Sequence, residues 1–377
     1  MKVEFFKHSV GDEEIESIAQ AIRGKFLTNG PIVEEFECAL AEYMGMKYAV
    51  AVSSCTAALH LSLLAVGVEP CSEVIVPAMT FVATALAVMH AGASPVIVDV
   101  LKKDGNVDPE KVYQRIREKT KAVVPVRLYG SCCDEEAEIG RMCSRDHVPV
   151  IVDAAHALEM TKGRVVSNFD GACLSFYATK SITCGDGGAF VTDNEHLYEK
   201  VKLLRTHGMS ADASARYHNK YTPWDLVAHG WKYNMTDIQA AMLLPQLKRV
   251  DTNWQSRKEA YDRYVVQLKD VEEIVLPEIP KDRNRHSHHL FTVWTKDENT
   301  RNALIRFLNT CGVGVAVNYK SINLTSYLSK RLGAGRGMCP VSERIGDVTI
   351  SLPFYAGIPY SDIDYVCSCI KRFYSKT

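Results

Sequence analysis

Between Tyr48 and Asp153 the chain returns repeatedly to short unbroken runs of Val, Ile and Ala, separated by stretches with helical spacing. The runs are Tyr48 to Val52, Val74-Ile75-Val76-Pro77, Pro95 to Val100, Ala122 to Val126 and Val148 to Asp153. Helical patterns cover Thr56 to Val66, Phe81 to His90 and Glu135 to Cys143. A strand with one wet face alternates apolar and polar residues; a strand covered on both faces need not. Unbroken apolar strands separated by helices therefore predict a mostly parallel sheet between helical layers, an α/β fold. Leu174 to Phe176 and Ala189 to Thr192 add two further strands.

Thr236 to Leu268 reads as one long amphipathic helix or two in series, opened by the cap Thr236-Asp237. Beyond it the pattern changes. His289 to Thr295 and Gly314 to Tyr319 look like strands; Asn299 to Thr310, Glu343 to Asp347 and Asp362 to Phe373 look helical. This is a smaller α+β unit. A chain of 377 residues is expected to hold two domains. The expected division is a large cofactor-binding domain over 1–245 and a small C-terminal domain over 246–377.

The formal net charge of −1 and the lack of a basic run argue against nucleic acid or an anionic membrane as a partner. No apolar stretch approaches the ~20 residues that span a bilayer. Met1 to Lys7 carries charge too early for a signal peptide, so a cytoplasmic protein is expected. The 12 cysteines are scattered. Cys132-Cys133 and Cys143 lack a partner pair at zinc spacing, and Cys367 and Cys369 stand too close for the usual pair. They read as reduced thiols, mostly core fillers, and no metal site is expected.

Chemistry concentrates around Lys180. Ile151-Val152-Asp153-Ala154-Ala155-His156 closes an apolar run on a carboxylate, and Ser175 to Lys180 leads into Thr183-Cys184-Gly185-Asp186-Gly187-Gly188. Singly, Lys180 is an ordinary surface lysine and Asp153 an ordinary strand-terminal aspartate. Together they suit a lysine that forms a Schiff base with pyridoxal 5′-phosphate and a carboxylate that pairs with the pyridinium nitrogen. Ser53 to His60 joins a strand end to a helix start, where free N–H groups and the helix dipole attract phosphate. Ser54 and Thr56 add hydroxyls there, although both residue types also serve as simple caps. Ser175, five residues before Lys180, supplies another hydroxyl. Phe81 follows a strand end, where an aromatic can lie on a bound ring or simply pack in the core. His156 could bond the ring hydroxyl, though a lone histidine is more often structural.

These motifs, with Leu27 to Pro31, Glu35-Phe36-Glu37, Leu128-Tyr129-Gly130, Arg205 to Gly208, Tyr233 to Ala240 and Ser351 to Tyr355, resemble the nucleotide-sugar aminotransferases of the DegT group. That group belongs to the fold type I pyridoxal-phosphate enzymes. The resemblance runs nearly end to end, and in style it is closest to members that aminate C4 of a UDP-linked 4-keto sugar.

The resemblance implies that Lys180 carries the cofactor, Asp153 pairs with its ring nitrogen and His156 lies near its ring oxygen. It implies an aromatic stack at Phe81, and phosphate contacts at Cys55, Thr56 and Ser175. Asn234 matches a residue that reaches the phosphate from a neighbouring subunit, which implies a homodimer with shared active sites. Substrate contacts are implied at Thr28, Asn318, Tyr319 and Asn323. The implied reaction is ping-pong transamination, with L-glutamate as donor and a UDP- or dTDP-linked 4-keto-6-deoxy hexose as acceptor. A 3-keto sugar or a cyclitol ketone is an alternative acceptor, and a non-catalytic sensor of the same fold is an alternative role. Dehydratase relatives replace the lysine with histidine, so Lys180 argues against that chemistry. The sequence departs from the group at Cys55, Glu159 and Asp186. It also departs at Asn318 and Asn323, where relatives usually carry histidines that face the sugar nucleotide.

Overall fold

The apolar runs form strands whose central residues lose all contact with water. A computed structural model describes residues 1–132, 135–161, 169–210 and 223–375. In it β1 is Tyr48–Val52, β2 Glu73–Pro77, β3 Ser94–Val98, β4 Thr120–Val123, β5 Ile151–Asp153, β6 Gly171–Ser175 and β7 Gly188–Thr192. β2 pairs in parallel with β3 and β4, and β5 in parallel with β6. β7 runs antiparallel between β6 and β1. Parallel bridges Val123 to Val150 and Val126 to Asp153 join the two groups. The order is thus 3-2-4-5-6-7-1, with β7 alone reversed among the described strands. Ala51, Val52, Ile75, Val76, Ile151, Val152 and Leu174 are fully buried. Each large aliphatic side chain among them contributes roughly 1.5–3 kcal/mol by leaving water.

Reversal of β7 matters for the site. The C-terminal ends of β1, β2, β5 and β6 share one edge of the sheet, and β7 begins there: Gly188 faces Val52 on one side and Ser175 on the other. Ligands of open parallel sheets collect at that edge.

The stretch expected as one helix or two is two, Asp237–Leu247 and Val250–Leu268. Thr236 opens the first with a capping box: its hydroxyl accepts from the Gln239 N–H at 3.2 Å, and Gln239 Oε1 accepts from the Thr236 N–H at 3.0 Å. Asp237, fully buried, accepts from the N–H groups of Gly30, Ile32 and Val33 and so caps the helix Pro31–Met44.

Beyond the long helix a second, antiparallel sheet has the order β10-β9-β8, made of Thr349–Leu352, Phe291–Thr295 and Ile274–Val275. The helices Glu298–Thr310, Pro340–Val348 and Tyr360–Tyr374 cover the stretches read as helical. The strand expected at Gly314 to Tyr319 does not form. Ala316 makes one bridge, to Ser351, while the Gly314 N–H goes instead to the Val3 carbonyl at 2.9 Å. The N-terminal segment takes the hydrogen bonds that a regular strand would have used. Cys132, Cys143, Cys173, Cys339, Cys367 and Cys369 are free and buried; Cys133 lies outside the described residues. Among the described residues no cluster could hold a metal ion, and no helix is long and apolar enough to cross a membrane.

Candidate active site

Lys180 stands at the end of a turn leaving β6, where its N–H bonds the Tyr177 carbonyl at 2.9 Å. The turn is clamped from below. Thr183 Oγ1 donates to the Phe176 carbonyl at 3.1 Å, and the Gln246 side chain holds both the N–H and the C=O of Thr183. The lysine side chain borders a cavity of about 570 Å³ at the carboxyl edge of the sheet. Burial pulls its amine down to about 8, against the upward pull of the Cys55 thiol and the Asp153 carboxylate.

Asp153 ends β5 and lines the same cavity. Thr84, on the helix Ala83–His90, donates its hydroxyl to Oδ2 at 2.8 Å, and the Ala155 N–H donates to Oδ1 at 3.1 Å. The Cys55 thiol lies 4.0 Å from Oδ1. Burial pushes the carboxyl up; Thr84, Ala155 and Lys180 oppose that by favouring the ionised form. Spacing does not single out Thr84, which falls three residues after Phe81.

The turn after β1 starts the helix Cys55–Ala65. Ser54 is its N-cap, with Oγ accepting from the Ala57 N–H at 3.1 Å. The Ser54 hydroxyl therefore caps the helix, and the Cys55 and Thr56 N–H groups, in the first turn, keep no intrahelical acceptor. Gly188 is required here. A Cβ on it would fall 2.4 Å from the Cys55 nitrogen, so only glycine lets β7 pass so close to the turn. Ser54, Cys55, Thr56 and Ser175 all line the cavity.

His156 lines it too, with Nε2 at 2.9 Å from the Tyr319 hydroxyl. Burial, then the nearby Lys180, holds its pKa well below the ordinary histidine value, so the ring is neutral. Tyr319, expected to meet substrate, thus also contacts His156. Phe81 stands at the cavity, 56% exposed, with its ring 5.9 Å from that of Tyr319. Asn318 borders the cavity, and its Oδ1 is buried with no hydrogen-bond partner.

Three expected residues are not at this cavity. Asn323 is fully buried, and its amide donates to Glu343 Oε1 at 2.8 Å and to the Gly335 carbonyl at 3.0 Å. Its amide is spent on holding a loop, so the expected substrate contact at Asn323 is corrected to a structural one. Asn234 and Thr28 bond each other, Nδ2 to Oγ1 at 2.8 Å, outside the cavity of their own chain.

The donor set fits pyridoxal phosphate. First-turn N–H groups and hydroxyls suit the phosphate, a hydrogen-bonded carboxylate suits a ring nitrogen, and a lysine with lowered pKa suits the aldehyde carbon. The unpartnered His156 Nδ1 and Asn318 Oδ1 mark polar capacity that the protein itself does not use.

Comparison with known proteins agrees. A profile of the DegT/DnrJ/EryC1/StrS aminotransferase family matches residues 8–371. The spore coat polysaccharide biosynthesis protein SpsC of Bacillus subtilis is 36% identical over 369 residues, covering 96% of this chain and 94% of that one. A putative sugar aminotransferase from Streptococcus pneumoniae, solved in a PMP form, superposes with a TM-score of 0.91 at 29% identity, covering 100% of both chains. PseC of Helicobacter pylori, an aminotransferase involved in the biosynthesis of pseudoaminic acid, has a TM-score of 0.91 at 26% identity over 100% of both chains.

Proposed function

The chain belongs to the DegT/DnrJ/EryC1/StrS aminotransferase family, and from that premise we propose that it carries an amino group from L-glutamate to the keto carbon of a nucleotide-linked sugar, using pyridoxal 5′-phosphate. The pneumococcal relative, solved in PLP and PMP forms and described as a putative sugar aminotransferase, supports the cofactor and a sugar acceptor. One observation carries the reading: Lys180, Asp153, His156 and the first turn of the helix Cys55–Ala65 converge on a single cavity.

Each group has a task there. The N–H groups of Cys55 and Thr56, with the Ser175 hydroxyl, would anchor the phosphate and so fix the orientation of the ring. Asp153, whose ionised form Thr84 and Ala155 favour against burial, would hold a proton on the ring nitrogen. Neutral His156, with its Nδ1 unpartnered, would meet the ring oxygen as a hydrogen-bond partner. Lys180 would hold the cofactor at rest, and its amine, poised at about 8, would move a proton between the donor Cα and the cofactor carbon on the far side of the shared nitrogen. Bound pyridoxal phosphate supplies an electron sink and a carrier for the amino group. Asn318, with its unused Oδ1, accepts from a sugar hydroxyl or an N-acyl N–H, and Tyr319 borders the same ligand. The acceptor we favour is a UDP- or dTDP-linked 4-keto-6-deoxy hexose aminated at C4. Asn234 and Thr28, outside their own cavity, complete the site of a second copy in a homodimer. The protein acts in the cytoplasm.

The test is a two-stage assay. Visible absorbance of the protein with added cofactor reports attachment at Lys180, and L-glutamate should then convert the bound form. A panel of 3-keto and 4-keto sugar nucleotides and a free cyclitol ketone should restore the starting spectrum only with 4-keto sugars. Exclusive turnover of a 3-keto sugar would refute the C4 assignment, and activity on the cyclitol alone would refute the substrate class.

A further inference from the structure

We propose that His289 is a positioning residue for His156, locked in place by the buried Glu159–Arg257 ion pair; this rests on the reading of the cavity given above. The two imidazoles stack, with ring centroids 4.4 Å apart and planes at 23°. Both are buried, His156 at 6% and His289 at 7% exposure. Stacking closes one face of His156 while Tyr319 takes its edge at Nε2.

What holds His289 there comes from three separate parts of the chain. Its N–H donates to the Tyr129 carbonyl at 3.1 Å, and the Ser287 N–H to the Gly130 carbonyl at 2.7 Å. Arg257, on the helix Val250–Leu268, donates Nε to the His288 carbonyl at 3.0 Å. Its Nη2 pairs with Glu159, three residues after His156, and the Ser287 hydroxyl donates to that same carboxylate. Carboxylate and guanidinium together grip Ser287 to His289. The planar guanidinium can serve a carboxylate and a carbonyl at once, in fixed directions. Gly130, at φ +96°, makes the crossing possible: a Cβ there would meet Ser287 Cβ at 2.7 Å, the His156 carbonyl at 3.0 Å and the His289 nitrogen at 3.2 Å. The motif Leu128-Tyr129-Gly130 and the acidic residue at 159 thus belong to one device.

Its consequence is a neutral, immobile His156. Burial acts first on both rings to disfavour a proton. Lys180 opposes a positive charge on either ring, and His156, Arg257 and His286 oppose one on His289. A buried ion pair is weak evidence for stability, but it can impose one geometry on what it touches.

The experiment follows His156 by NMR of protein labelled with 15N-histidine and free of cofactor, in the wild type, His289→Ala, His289→Phe and Glu159→Gln. The same proteins with pyridoxal phosphate are assayed in the L-glutamate half-reaction. His289→Ala should admit water to the face of His156 and raise its proton affinity about tenfold, with kcat falling about tenfold and KM moving less than about threefold. His289→Phe, which keeps a flat ring, should restore both to within about threefold of wild type. Glu159→Gln should move both in the direction of His289→Ala by a smaller factor. A His156 titration identical in wild type and His289→Ala, or a Phe variant as impaired as Ala, would overturn the proposal. If His289→Ala does not fold, an unchanged titration in Glu159→Gln overturns it instead. Should the wild type never develop a visible band, the cofactor reading fails, while the NMR arm still decides the relation of His289 to His156.

Discussion

Thr84 donates its hydroxyl to Asp153 Oδ2 at 2.8 Å, across a sequence separation of 69 residues. That bond favours the ionised carboxylate against burial, which pushes it the other way. Removal of the hydroxyl in Thr84→Val should raise the Asp153 pKa further. Activity depends on the ionised form and is lost as pH falls through that pKa, so the acid limb of the rate profile should move to higher pH. We expect kcat to fall about tenfold on the acid limb, with the loss shrinking as pH rises. An acid limb at the wild-type position would break the link between the two residues.

Lys180→Ala should bind cofactor through the phosphate and ring contacts yet show no absorbance from covalent attachment, and its turnover should stall. In the wild type the amine sits at about 8, so its reactive free-base fraction grows as pH rises through that value. Reconstitution from cofactor-free protein should accelerate from pH 7 to 9 and then level off. A rate that keeps climbing to about pH 10.4, the value of an unperturbed lysine, would contradict the lowered pKa of the amine. Near-normal activity in Lys180→Ala would remove the assignment altogether.

Asp153→Asn should keep the fold and lose several kcal/mol of transition-state stabilisation, because a neutral ring is a poor electron sink. Half-reaction rates measured by stopped flow decide the matter. A loss below about tenfold, ~1.4 kcal/mol, means that Asp153 is not the partner of the ring nitrogen.

Asn234→Ala should weaken cofactor binding if each site borrows that residue from a second copy. Mixing it with Lys180→Ala should then regenerate some activity, since a heterodimer holds one site with neither lesion. Unchanged cofactor affinity together with a monomer by light scattering would count against shared sites.

Asn323→Ala removes an amide that bonds Glu343 and Gly335 in a fully buried place. Urea unfolding should show a loss of about 1–3 kcal/mol from the partners left unsatisfied. A raised KM for the sugar with stability intact would return Asn323 to the substrate site.

Much of this protein is visible in its sequence for a local reason. β1 to β7 lie close to the runs of Val, Ile and Ala because strands buried on both faces need apolar residues at every position. The start of the helix Asp237–Leu247 shows because Thr236 and Gln239 cap it within one turn. Lys180, Asp153, His156 and the turn at Ser54 stand out because a strand end followed by a helix start or a glycine-rich turn already has the geometry their chemistry needs. Tertiary structure alone decided the strand order 3-2-4-5-6-7-1, the bond from Thr84 to Asp153 and the crossing of Gly130 with Ser287 to His289. It also gave the Gly314 N–H to Val3 in place of a regular strand, and turned Asn323 into the interior. These outcomes depend on contacts between residues far apart in the chain. Such contacts leave no period or spacing in the sequence, because what selects them is the room left once the sheet and its helices have packed.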